Sequence, residues 1–337
     1  MGNKMNRSNK GAAAVIGLLL TACGAPAFAG QPACPSADFK VFWQAFASDT
    51  GVQRAFVGST LQSVTLKPAG EGMEPVSTTL RSGSLGDPLV RPGQPALELV
   101  DMSIQADTAT VVDKRQGLSD MKVYQFRRHG CWTLEGVEDW SVDPRTLKVP
   151  AATASRNHEQ QVCYLKGGIF HGLGAAERYP LTSQLHEAAL QNYLCAAASG
   201  DPDASWDAAA LSLSQMAPYL GYEKTEALLL AAFRGHPEAG LPLAAFYCDG
   251  DVDTVPGQPC QAPGKAKDTL VQSAKRGSSE ALTALGAAWE TGRFEAPDQQ
   301  RALGCYRQAA AQGDSDAKQA LSRLAASQRA ASNVNCY

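Results

Sequence analysis

The sequence predicts two joined parts: an α+β domain with a helix on an antiparallel sheet, then an all-α solenoid of stacked helical hairpins. Three features carry the prediction. A signature of two small residues, two variable ones, Gly, three variable ones and Ala occurs four times. It stands at Ala196-Ala197, Gly200 and Ala204; at Ala231-Ala232, Gly235 and Ala239; at Ser273-Ala274, Gly277 and Ala281; and at Ala309-Ala310, Gly313 and Ala317, with the glycines 35, 42 and 36 residues apart. A period in the thirties with small residues where helices cross marks hairpins that bury their apolar faces only by stacking. The first half instead carries one amphipathic aromatic stretch and then six segments of alternating polarity, the pattern of a helix and half-buried strands. Between the halves, residues 144–156 hold Pro144, Pro150 and small polar residues, the composition of a linker.

Residues 1–29 read as an export signal. Lys4, Arg7 and Lys10 precede the apolar run Ala12 to Ala22, which is too short for a retained membrane span. Two processing sites follow. Leu20-Thr21-Ala22-Cys23 resembles a bacterial lipobox, which implies a lipid on Cys23 as the first mature residue. Ala27-Phe28-Ala29 before Gly30 is an ordinary small-x-small cleavage site that would release a soluble chain. Both routes stay open, and both take the protein out of the cytoplasm into the bacterial envelope. No other stretch reaches the ~18 apolar residues of a membrane helix, so membrane contact is expected only through a lipid at Cys23.

The α+β domain is expected over residues 30–143. In ADFKVFWQAFASDTGVQRAFV, Phe39, Phe42 or Trp43, and Phe46 share one helical face, with a short second turn from Gln53 to Val57. Strands are expected at Leu61 to Leu66, Val76 to Leu80, Leu97 to Met102, Ala109 to Val112, Met121 to Phe126 and Cys131 to Val137. Helix first and antiparallel strands after give an α+β arrangement. The run Phe39-x-x-Phe42-x-x-x-Phe46-x-x-Asp49 with Gln53, and the late Cys131-Trp132-x-Leu134-x-x-Val137-x-Asp139, resemble a family of exported bacterial domains with a cystatin-like or nuclear-transport-factor-like appearance. That resemblance brings no catalytic residues with it. The aromatic stripe reads as a helix packed on a curved sheet rather than as a ligand box.

The repeat region is expected over residues 157–328, with a tail at 329–337. From Gly277 to Gly313, Ala281, Leu285, Ala288 and Trp289 fall at 0, +4, +7 and +8, and Ala302, Tyr306, Ala309 and Ala310 repeat that spacing. Gly292 and Gly313 stand where the two helices need left-handed caps, and Pro297 precedes the second helix. Ala281-Leu285-Gly286-Trp289-Gly292 resembles the Sel1-like repeat pattern A-x-x-x-L-G-x-x-Y-x-x-G followed by a helix ending A-A-x-x-G. Ala239-Leu243-Tyr247-Gly250 matches with Ala244 in place of the internal Gly; the unit from Ala204 keeps only Ala208, Ala209 and Ser212. A further unit with Leu165 and Gly172 is expected before Gly200. The resemblance implies an α-solenoid that binds other macromolecules, and it does not say which.

Nine cysteines become eight once Cys23 is set aside, because either processing route lipidates or discards it. Cys34, Cys131, Cys163, Cys195, Cys248, Cys260, Cys305 and Cys336 can pair in 105 ways. Chain layout favours Cys248 with Cys260 around the insertion DGDVDTVPGQP, Cys305 with Cys336 pinning the tail, Cys34 with Cys131, and Cys163 with Cys195 stapling the first hairpin. No C-x-x-C and no zinc-like Cys/His spacing competes with structural disulfides.

Removing the three signal cations leaves 27 Lys and Arg against 33 Asp and Glu, a charge of −6 with no basic cluster, which argues against nucleic acid as partner. Candidate chemistry fares poorly. Ser119-x-x-Lys122 and Ser315-x-x-Lys318 fit the Ser-x-x-Lys of penicillin-interacting enzymes, but Ser-Asp-Asn and Lys-Thr-Gly are missing. Asp249, Asp251 and Asp253 resemble the start of a calcium loop that fails at Thr254 and Cys260. His186-Glu187 lacks a second His for H-E-x-x-H, and His236 reads as helix-end satisfaction. Gly83-Ser84-Leu85-Gly86 is not a nucleophile elbow.

The expected function is therefore non-enzymatic, without metal or cofactor: an adaptor, scaffold or immunity-type protein whose solenoid binds another periplasmic or secreted protein. The first helix of each hairpin tends to line the concave face, and the +2 positions of those helices are Cys163, Trp206, Leu241, Thr283 and Gln319. Trp206, Leu241 and Thr283 are the candidate binding residues, with Trp206 the anchor; Trp289 and Tyr247 are assigned to the core. The alternative is a peptidoglycan-binding or cell-wall enzyme with its site in the first domain.

Overall fold

The computed structural model describes residues 33–70, 72–82, 89–90, 99–152, 154, 156–250, 259–324 and 335–337. The export segment with Cys23, the Gly83 to Gly86 motif, and Asp251 and Asp253 lie outside the described residues.

Helix α1 (Phe39–Ser48) starts where the Asp38 carboxylate accepts the Val41 N–H at 3.1 Å. It ends at Asp49, which in turn caps α2 (Thr50–Ala55) by accepting from Gly51 and Val52. Six strands follow: β1 (Val57–Ala69), β2 (Gly72–Arg81), β3 (Val100–Ile104), β4 (Thr108–Asp113), β5 (Lys122–His129) and β6 (Cys131–Asp139). They form one sheet in the order β2-β1-β6-β5-β4-β3. The sheet is mixed, which corrects the antiparallel expectation: β1 pairs β6 in parallel, while every other neighbour is antiparallel. Alternating polarity reports which face a side chain takes and is the same in both directions of pairing.

At β4 and β5 both faces of this sheet are buried. On one, Phe42, Trp43 and Phe46 are fully buried, each contributing about 1.5–3 kcal/mol of apolar transfer. The rings meet edge to face, Phe46 on Phe126 at 5.1 Å and Phe39 on Trp132 at 5.0 Å. Gln53 is the buried residue of α2 and pairs with the Val90 backbone, donating to its carbonyl at 2.8 Å and accepting its N–H at 3.1 Å. On the other face, Val112, Met121 and Val123 share a core with Phe170, Leu173, Leu185 and Ala188 of the first helical pair. Trp140 and Val142 join that core, and Leu147 of the 144–156 stretch packs against it. Asn192 donates to the Ser119 hydroxyl at 2.7 Å, and Gln184 donates to Asp101 at 3.3 Å across the same junction.

The helical half runs α3 (His158–Ala175), α4 (Thr182–Ala196), α5 (Pro202–Leu213), α6 (Tyr222–Gly235), α7 (Gly240–Asp249), α8 (Pro263–Lys275), α9 (Ser279–Thr291), α10 (Gln299–Ala311) and α11 (Ser315–Arg323). Each helix packs on its successor, and α7 also touches α9. N-caps come from Asn157 in a capping box with Gln160, and from Asp201, Ser278, Asp298 and Asp314. Gly292 closes α9 in the left-handed region, as its position requires. Gly235 does not: it ends α6 without positive φ, and a Cβ there would lie 2.4 Å from Pro202. That glycine is needed for close approach of two helices.

Hairpins α3/α4 and α9/α10 interlock through glycine and aromatic pairs. A Cβ on Gly286 would lie 2.7 Å from the Tyr306 ring, and one on Gly167 would lie 2.6 Å from the Tyr193 ring. Tyr193 and Tyr306 each stand three residues before the small pair of their helix, so Gly167 is the counterpart of Gly286. The first unit therefore sits one residue later than the Leu165 and Gly172 register; Gly172 has no neighbour within 4 Å of a Cβ. In the two intervening hairpins, Ala209 and Ala244 stand at the glycine position and Leu228 and Leu270 at the tyrosine position. Small opposite large and medium opposite medium keep the volume at the crossing constant.

The eight described cysteines stand in four pairs at disulfide distance: Cys34–Cys131, Cys163–Cys195, Cys248–Cys260 and Cys305–Cys336. This is the pairing that chain layout favours. Cys336 is fully buried against the last hairpin.

Candidate binding surface

Helices α7 and α9 open a cleft between neighbouring first helices. Their buried residues, Leu243, Phe246 and Tyr247 on α7 and Ala281, Leu285 and Trp289 on α9, face the core. Ala245 and Ala287 are exposed and Ala284 is half-buried; with methyl groups on both walls, the helices leave space that longer side chains would fill. The result is a cavity of about 330 Å³ lined by Leu241, Ala244, Leu270, Ala284, Ala288 and Phe294. At its edge Arg293 Nη2 donates to Asp249 Oδ1 at 2.5 Å. The floor is apolar and the charged lip is paired, so the cleft can take an apolar side chain without stranding a charge.

The next interval, between α9 and α11, is bridged. Glu290 accepts from the Tyr306 hydroxyl at 2.9 Å and from Arg323 through both oxygens. The Arg323 guanidinium holds the Glu290 carboxyl below its usual range, and burial pushes the Tyr306 phenol up to about 12.

Leu241 lines the cleft. Thr283 stands next to Ala284 in the wall, half-buried, with its Oγ1 enclosed and without a hydrogen-bond partner among the described residues. Trp206 is on α5, half-buried against the same core, and is not among the cleft's lining residues. Trp289 and Tyr247 are buried. Sequence reasoning missed Ala284, Ala287, Leu270, Phe294 and the Asp249–Arg293 pair. The signal that could have found them is alanine on the exposed sides of consecutive first helices.

The motifs with possible chemistry are taken up by structural bonds. Ser119 accepts from Asn192, while Lys122 pairs with Asp139 at 2.8 Å, so the two do not meet. Lys318 donates to the Gly313 carbonyl at 3.1 Å, away from the Ser315 hydroxyl, which lies 3.5 Å from Asp316. His236 Nε2 meets Asp203 Oδ1 at 2.6 Å, and its backbone N–H closes α6. His186 is buried, and desolvation together with His171 holds it below the usual histidine range. Among the described residues no three His, Cys, Asp or Glu are placed to hold a metal ion, and no helix is long and apolar enough to cross a membrane.

The helical half thus belongs to the class of serial antiparallel hairpins. No family model and no curated protein matches the chain. Among solved structures it is similar to a Sel1 repeat protein from Oxalobacter formigenes, at 21% identity over 51% of this chain and 71% of that one, with a TM-score of 0.37. It is also similar to c5321, a protective antigen of uropathogenic Escherichia coli with an SLR fold, at 19% identity over 48% of this chain and 34% of that one, with a TM-score of 0.38.

Proposed function

We propose that this chain is an exported adaptor whose Sel1-like hairpins form an α-solenoid that holds a protein partner in the bacterial envelope. The observation that carries the reading is the apolar cleft between α7 and α9, the kind of pocket that receives a partner's anchor side chain. Leu241 forms its floor, Thr283 supports its wall, and Trp206 extends the surface one unit toward the N-terminus. Four cysteine pairs fit an oxidising compartment such as the periplasm. The export segment ends at Cys23 with a lipid or at Ala29 without one, and residues 30–143 and 157–328 are the sheet and repeat parts. Catalysis has no assigned role in this reading.

Site-directed photo-crosslinking tests it. A benzoylphenylalanine at Ala287, in the cleft, should crosslink one envelope protein in living cells, whereas the same probe at Gln272, exposed on α8, should not. Identical products from both positions would sink the proposal.

A further inference from the structure

The sheet domain encloses a second cavity, of about 440 Å³, inside the roughly 300–1,000 Å³ range of small-molecule sites. It lies where β4 ends and β5 begins, with Asp113, Arg115, Asp120, Lys122, Tyr124 and Ser141 in its lining. Leu89 is its one apolar side chain among the described residues.

The charges in and behind this cavity are largely spent on one another. Arg115 grips Asp113 as a fork, Nε to Oδ1 at 2.9 Å and Nη2 to Oδ2 at 2.8 Å, and the side chains are only 11% and 9% exposed. Lys122 donates to Asp139 Oδ2 at 2.8 Å, and the Ser141 hydroxyl donates to Asp139 Oδ1 at 2.5 Å. The Tyr124 hydroxyl donates to the Leu89 carbonyl at 3.2 Å. Asp120 is exposed and makes no ion pair among the described residues.

What remains is hydrogen-bonding capacity with little net charge. Arg115 keeps the donors of Nη1, Lys122 keeps two of its three, and Asp120 and the Ser141 oxygen keep acceptor sites. An anion would surrender its hydration to cations already paired with Asp113 and Asp139, and a cation would meet only the exposed Asp120 carboxylate, where solvent screens the attraction. An apolar ligand would strand the donors. A molecule carrying several hydroxyl groups both donates and accepts at adjacent positions, and it fits such a lining without desolvating a charge. We propose that the cavity binds a neutral saccharide of about one or two pyranose rings.

The test uses the oxidised mature protein and saturation-transfer NMR with N-acetylglucosamine, chitobiose, glucose and maltose. At least one should bind with a Kd of about 1 mM. Asp120→Asn and Lys122→Gln, both at solvent-accessible side chains, should each weaken binding by about fivefold or more while circular dichroism stays unchanged and, for Asp120→Asn, melting as well. Leu241→Asp, in the α7/α9 cleft, should leave sugar binding as it is, so loss of protein binding and loss of sugar binding are told apart. The proposal falls if no sugar of the panel binds at ~50 mM, if both cavity variants bind like the parent, or if glycinamide or acetate occupies the cavity instead.

Discussion

Replacing Gly286 by Ala should destabilise the array, and shrinking Tyr306 should reverse the effect. The added Cβ would meet Tyr306 Cδ1 and Cε1 at 2.7 Å and Cζ at 3.0 Å. Contacts between carbons settle near ~3.5–4.0 Å, so ring and methyl must separate by about 1 Å. The ring has little freedom: Tyr306 is 2% exposed and its hydroxyl is tied to Glu290. Overpacking of this kind costs about 1–3 kcal/mol, against a gain of up to ~1 kcal/mol for Ala over Gly in a helix. A net loss of about 1–2 kcal/mol is expected from Gly286→Ala. Tyr306→Leu alone should lose about 2–3 kcal/mol through the cavity and the missing hydrogen bond. The double variant recreates the Ala and Leu combination that stands at the equivalent positions of the two preceding hairpins. It should therefore be more stable than the sum of the single changes by at least ~1.5 kcal/mol. Urea unfolding of the oxidised protein, followed by circular dichroism, reads all three. A neutral Gly286→Ala, or losses additive within ~0.5 kcal/mol, would refute the interlock.

Three further outcomes are expected. Arg323 depresses the Glu290 carboxyl, so the pair's contribution is complete above the unfolded value near pH ~4.5 and is lost as pH falls through the folded value; Arg323→Gln should flatten the urea midpoint below that pH and leave the neutral side of the profile parallel. Trp140→Ala removes an indole buried in the core that the sheet shares with the first helical pair and meeting Tyr179 edge to face at 5.2 Å; a loss of about 3–5 kcal/mol in urea is expected, and the isolated fragment 156–337 should bind a hydrophobic dye that the full chain does not. Replacing Cys163 and Cys195 by Ser opens a link spanning 32 residues, which should cost about 3–4 kcal/mol and leave the other three bridges intact in a peptide map.

The repeat was legible because its cause is compositional. Where helices cross, only small residues fit, and Gly200, Gly277, Gly292 and Gly313 adopt the positive φ that favours glycine. The pairing of cysteines followed from which chain segments a bridge would fasten. The sheet was legible strand by strand and illegible in direction, because period two is blind to parallel pairing of β1 with β6. Its second buried face had left a mark in Val111-Val112 and Val123-Tyr124, consecutive apolar residues that pack on opposite sides. Read that way, residues 140–147 belong to a core as much as to a linker. The cleft was hidden for a different reason. It exists because alanines at positions 245, 284 and 287 leave space, and space depends on how α7 and α9 are set against each other, which no single helix encodes.

The measurement closest to the central claim is the affinity of the crosslinked partner, once purified, for the oxidised mature protein and for its Leu241→Asp variant. A carboxylate placed in the apolar lining should weaken binding by at least ~30-fold, about 2 kcal/mol, with the unfolding midpoint changed little because Leu241 is only half-buried. Equal affinities for the two proteins would contradict the claim that the α7/α9 cleft is where this chain holds its partner.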